Sequence, residues 1–260
     1  GAGLAAAFGA PLAGVLFALE ELHKNFSAEV LVSTMAASAV ADYIAVNIIG
    51  LRPVFDFDVE HRIPLRLYWA VVLLGVILGI LGVLYNKLLD KMQDFFDKFD
   101  SKFISIGIML VISFLMMFIY PTVLGSGNNL VKVISDGKFT LMALAVLFVA
   151  KLFFSTGSFG TGTPGGIFLP LLVIGAITGG LYSTFLSTAF GVEEYYIKGF
   201  VIIAMAGFFS AIVRAPITGV ILITEMTGNF MTLLSLVSAS LVAYVVADLL
   251  GGEPVYDQLM

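Results

Sequence analysis

Cysteine is absent from this sequence, which removes disulfides and thiolate metal sites from consideration. Charge is scarce as well. Asp, Glu, Lys and Arg together make up 12% of the residues, where a soluble domain carries about 25%. There are only two histidines, His23 and His61, and both lie in charged, loop-like stretches that read as surface. No basic patch with interleaved aromatics occurs, which argues against nucleic acid as a partner. What remains is apolar: 60% of the residues are hydrophobic and the mean hydropathy is +1.06. Such a chain is an integral membrane protein, and its net charge of −5 says little about the fold.

The apolar runs are unequal. Those at 30–51, 67–85, 103–124 and 226–247 approach the length of about 20 residues that a perpendicular crossing needs. Others, at 139–150, 199–213 and 215–224, are shorter, and the run at 152–192 is interrupted by its own glycines and prolines. Short and broken helices meeting inside the protein fit this pattern, because irregular backbone at membrane depth survives only when buried or lining a cavity. Charge collects at 20–25, 52–66 and 87–102, and the four lysines of the last segment favour the cytoplasmic side. Lys151, Arg214 and Glu225 read as boundary charges, the long cations snorkelling. Gly75-x-x-x-Gly79 would let two helices approach closely, within one subunit or between two.

Two distant stretches match. Residues 10–21 read APLAGVLFALEE and residues 215–226 read APITGVILITEM, with Ala10/Ala215, Pro11/Pro216, Gly14/Gly219, Val15/Val220 and Glu20/Glu225 coinciding. Gly/Pro-interrupted segments in corresponding positions of two halves are the sequence mark of transporters built from inverted repeats.

Residues 160–170, GTGTPGGIFLP, lie in a stretch without charge from Leu152 to Val192. Four glycines and two prolines disfavour a regular helix there. The segment 157–166 is predicted to be non-helical at mid-membrane. A helix starting near Gly166 would aim the unpaired N–H groups of its first turn, with about half a positive charge, at whatever lies in front. Such an end binds anions without a lysine or arginine. A glycine-rich packing bend is the alternative. A phosphate-binding P-loop is excluded by the missing Gly-Lys-Ser/Thr ending.

The core Gly166-x-Phe168-x-Pro170 resembles the anion-filter motif of the CLC chloride channels and transporters. AAAFGAPLAGVLFALEE is similar to that family's segment ending in paired glutamates, and IVRAPITGVILITEMTGNF to its counterpart in the second half. GGEPVY resembles the tyrosine-bearing start of the last helix. The resemblance implies an all-α fold of tilted, broken helices in two inverted repeats, working as a homodimer in membrane lipid with one pathway per subunit. It implies an anion site built from Gly166 and the N–H groups of Ile167 and Phe168, shaped by Gly165 and Pro170 and completed by the Tyr256 hydroxyl.

Glu21 falls on the family's internal proton-transfer position, with Glu20 left as a solvated helix end. Passive channels of the family tend to carry an apolar residue there, so Glu21 implies chloride/proton exchange, with a passive voltage- or pH-gated channel as the alternative. The fluoride-exporting branch departs from the tyrosine pattern kept here. Chloride and protons are the implied ligands, with no cofactor or metal, in a bacterial inner membrane. An intramembrane serine protease would need a nucleophile–base pair at membrane depth, for which neither histidine is placed. The repeat implies one transmembrane domain holding the tail of the first half (1–50) and a second half from about residue 65 to 260. The counterpart of the filter, with the family's external gating glutamate and anion-site serine, is expected upstream of Gly1.

Overall fold

The computed structural model describes every residue except 51–53, 56–60, 138, 164 and 257–260. Residues 52, 53 and 56–60 of the 52–66 loop expected from its charges therefore lie outside the described residues. Eleven α-helices and no strand occur among those described: α1 (Ala2–Phe8), α2 (Pro11–Phe17), α3 (Ala28–Ile49), α4 (Tyr68–Phe96), α5 (Lys102–Ile119), α6 (Asn128–Ser135), α7 (Leu141–Gly160), α8 (Phe168–Phe190), α9 (Ile197–Val213), α10 (Pro216–Thr227) and α11 (Leu233–Leu249). Six of the helical segments are long and apolar enough to cross a bilayer. The others are too short, and they are not all the ones the runs implied: 226–247 is split between α10 and the 17-residue α11, whereas the short runs at 139–150 and 199–213 lie in the 20-residue segments Leu141–Gly160 and Glu194–Val213.

Helix α9 is the centre of the molecule. Its run from Phe200 to Val213 carries no charge, and its side chains there are buried on every face, as a helix that is apolar all round must be. Helices α4, α8, α10 and α11 surround it. The Gly75–Gly79 ridge packs inside the subunit, not between subunits: a Cβ at Gly79 would lie 2.8 Å from the Ala243 carbonyl oxygen and 2.7 Å from Val246 Cβ on α11.

Two boundaries depart from the sequence reading. The charge at Lys151 does not end a helix, since α7 runs through it from Leu141 to Gly160. The expected non-helical stretch accordingly begins after Gly160, with residues 157–160 still helical. Gly160 serves close packing instead of a break, because a Cβ there would sit 2.7 Å from Met92 Cβ on α4.

The repeat is legible in the backbone. Ala10 (φ −129°, ψ 69°) and Ala215 (φ −116°, ψ 76°) share one conformation, each followed by proline at the first helical position. The correspondence extends one residue upstream: Gly9 (φ 57°) and Arg214 (φ 69°) both end the preceding helix in the left-handed region. For arginine that conformation costs about 1–2 kcal/mol.

The two copies also exchange hydrogen bonds. Glu20 accepts from the N–H groups of Ile217 (3.1 Å) and Thr218 (2.7 Å) at the start of α10. Glu225 accepts from the N–H groups of Leu12 (3.1 Å) and Ala13 (2.8 Å) at the start of α2. Each residue's counterpart in the other copy makes the counterpart bond. Only a two-fold relation returns a contact in this way, whereas a translation would run head to tail. The two copies are related by a two-fold axis, as inverted repeats require.

Candidate functional site

The broken segment after α7 delivers the chain to the start of α8 at mid-protein. Ile167 is the N-cap residue of α8 and has no side-chain cap. The first N–H groups of α8 thus have no partner within the helix, and the macrodipole makes that end attractive to an anion. Ile167 is buried, Phe168 is half-buried, and Gly165 and Gly166 are exposed. A Cβ at Gly166 would meet nothing within 4 Å, because Gly165 and Gly166 line an open cavity of about 350 Å³ with Gly125, Ser126, Ser158 and Pro170. The glycines keep that approach clear.

The other side of the α8 start is aromatic. The Phe168 ring packs against Phe17 (5.3 Å between centroids), Phe209 (5.1 Å), Phe8 (6.0 Å) and Tyr256 (6.5 Å). Phe17 also meets Tyr256 edge-on at 5.6 Å. The filter helix, the first-repeat helix and the terminal tyrosine therefore converge on one cluster, bringing Ile167, Phe168 and Tyr256 together.

Two residues that the sequence reading left out or misjudged hold the tyrosine segment. Asn86 on α4 donates from Nδ2 to the Glu253 carbonyl at 2.7 Å and to the Ile212 carbonyl at 3.3 Å. Arg214 donates to the carbonyls of Gly252 (2.7 Å) and Tyr244 (3.1 Å) and pairs with Asp248 at 3.5 Å. Its side chain is only 9% exposed. Arg214 is thus not a snorkelling boundary charge but the pin between the α9–α10 corner and the loop leading to Tyr256. These bonds over-determine its left-handed backbone, which is how such strain persists.

Lys151 also departs from the boundary reading. It is 1% exposed, and its ammonium donates to the carbonyls of Val123 (2.7 Å) and Gly125 (2.8 Å). A buried cation is tolerated only when hydrogen-bonded. Here the bonds fix the loop whose Gly125 forms a wall of the cavity in front of Gly165 and Gly166. Glu225 is likewise a helix cap and not a boundary charge.

Glu21 is 5% exposed, whereas His23 and His61 are exposed as expected. The reason is local. After Phe17 the helix widens into a π turn, Ala18–Leu22, closed by the His23 N–H to the Ala18 carbonyl at 2.9 Å. Single π turns are found disproportionately at functional positions. This one holds both glutamates, and it places Glu21 within electrostatic reach of Tyr256. Glu20 is not the solvated helix end expected of it. Besides its two amide bonds it accepts from the Thr218 hydroxyl at 2.8 Å, so its negative charge neutralises the N-terminus of α10.

The sequence pattern of the family described as voltage gated chloride channel matches residues 1–248. The chain belongs to this chloride channel family. Among similar proteins, the H(+)/Cl(−) exchange transporter ClcA of Vibrio cholerae is 37% identical over 99% of this chain, which covers 57% of that relative. The ClcA of Yersinia pestis is 34% identical over the whole chain and is covered to 56%. This member of the family thus spans a little over half the length of the curated relatives it matches. The crystal structure of a slow cyanobacterial Cl−/H+ antiporter superposes with a TM-score of 0.88 at 31% identity, over 99% of this chain and 61% of that one. A CLC-type fluoride/proton antiporter, 22% identical with a TM-score of 0.78, shares the fold.

Proposed function

We propose that this chain forms the anion pathway and internal proton site of a chloride/proton exchanger. The observation that carries the reading is Glu21, a carboxyl at 5% exposure in a π turn, within electrostatic reach of Tyr256, whose ring meets Phe168 at the start of α8. Intramembrane ionisable groups mark proton relays by default. A passive pathway has no use for one that costs several kcal/mol to bury. The similar proteins named above are H+/Cl− exchangers, which favours the same reading.

In this mechanism the N–H groups of Ile167 and Phe168 hold the central anion, and the Tyr256 hydroxyl donates from the opposite side. Gly165 and Gly166 leave the approach open, and Pro170 keeps its ring in the first turn of α8, where no helical N–H is lost. Neutral donors bind chloride without trapping it, as conduction requires. Glu21 binds and releases the proton. The protein would act as a homodimer in a bacterial inner membrane, without a cofactor, as a single transmembrane domain whose first repeat is represented by residues 1–50.

The test is transport by the full-length protein in liposomes. An imposed pH gradient should drive chloride uphill, and chloride flux with no accompanying protons would replace this reading with the passive channel. The anion site has a separate test. Crystals of the full-length protein soaked in bromide should give an anomalous peak between the Ile167–Phe168 amides and the Tyr256 hydroxyl, and bromide density at the surface alone would refute the site. Phe168→Leu should leave selectivity nearly unchanged, because the backbone makes the contact.

A further inference from the structure

The reciprocal caps on α2 and α10 look alike, but they do not have the same neighbours. Next to Glu225 in the second repeat stands Met226, fully buried in a helix that stays regular to Thr227. Next to Glu20 in the first repeat stands Glu21, in the π turn. The bonds differ too. Glu225 accepts two amide hydrogen bonds. Glu20 accepts the same two and a third from the Thr218 hydroxyl, where the matching residue of the other copy, Ala13, has no hydroxyl to give. The stronger anchor thus stands beside the buried acid.

Resting on the exchange reading above, we propose that Glu20 is a positioning residue for proton transfer: its carboxylate fastens the π turn to the start of α10 and so fixes where Glu21 stands relative to Tyr256. The hydrogen bonds of Glu20 go to Ile217 and Thr218 at the start of α10, outside the group of Ile167, Phe168 and Tyr256. It acts through its neighbour. The π turn departs from the regular i→i+4 ladder, closing with an i→i+5 bond, and bonds from outside the turn fix the position of a carboxyl within it. Three charge-assisted bonds, each about twice as strong as a neutral one, do that. Because a misplacement of about 1 Å at a reacting group can cost about 10²-fold in rate, loosening this anchor is a rate effect on protons and not on chloride.

The pseudo-symmetry supplies the control. In the full-length protein in liposomes, Glu20→Gln keeps one acceptor oxygen but turns an amide NH2 towards an N–H donor of α10. It should lower the proton-to-chloride flux ratio at least tenfold while chloride flux persists. Thr218→Val, which removes only the third bond and is gentle on folding, should lower the ratio in the same direction by a smaller factor. Glu225→Gln breaks an equivalent cap beside an apolar residue. It should lower thermal stability to a similar degree and leave the ratio at its wild-type value. The assignment is overturned if Glu20→Gln and Thr218→Val retain the wild-type ratio, or if Glu225→Gln shifts the ratio as much as Glu20→Gln, which would make the caps structural alone. Wild-type protein carrying chloride without protons would overturn the exchange reading and this assignment together. Coupled wild type with unaffected Glu20 variants would overturn this assignment only.

Discussion

Glu21→Gln in the full-length protein is expected to pass chloride down its gradient while proton movement falls by about 10²–10⁴-fold, the range lost when a positioned proton-transfer group is removed. The amide matches the carboxylate in shape, so the π turn and its anchor at Glu20 remain. The proposed anion ligands also remain, because they belong to the start of α8 and to Tyr256. What disappears is the reversible protonation of the carboxyl, together with its negative charge and one acceptor oxygen. The measurement is parallel recording of chloride efflux and proton uptake from liposomes, followed by a pH jump that drives chloride uphill in the wild type. Coupling retained in Glu21→Gln would move the proton site elsewhere. Loss of both fluxes together would make Glu21 part of the anion site or of the fold instead of a proton site.

Gly179→Leu is expected to cost about 3 kcal/mol or more of stability, at the upper end of what overpacking a core costs. A Cβ at Gly179 on α8 would lie 2.7 Å from the Phe200 carbonyl oxygen, 2.7 Å from Val201 Cα and 2.8 Å from Ala204 Cβ. These are backbone and near-backbone atoms of α9, so no side chain can swing aside. The two helices must part, and α9 is the element against which α4, α10 and α11 also pack. Parting them would displace the start of α8, and with it the anion amides. Thermal unfolding in detergent, monitored by the loss of monodisperse protein, reads the effect. Gly107→Ala is the matched control: that glycine lies in α5 with nothing within 4 Å of its added Cβ. It should be neutral or raise stability by up to about 1 kcal/mol, the propensity difference in a helix interior. Equal losses in both variants would show that any methyl on a helix glycine is harmful, and the close α8–α9 contact would explain nothing.

The sequence by itself determined that the backbone breaks near residues 10, 161–166 and 215. Pro11 and Pro216 at first helical positions, and the glycines between Gly160 and Ile167, act through their own φ preferences or missing N–H groups, so no partner is needed to read them. The inverted repeat was legible for a related reason: Pro, Gly and Glu at fixed spacing leave letters that can be compared. Burial of Glu21 was legible only through its family position, since an acid at the end of an apolar run can equally face water.

Tertiary structure alone decided the fate of the other charges. Glu20, Glu225, Lys151 and Arg214 all looked like boundary or solvated groups, and all four proved to be bonded to main-chain amides or carbonyls distant in sequence. Every residue type except proline offers the same N–H, and every residue the same C=O, so the partner of a buried charge leaves no letter in the chain. It exists only once folding has carried α10 to α2, the Val123–Gly125 loop to α7, and the Gly252 carbonyl to the corner at Arg214.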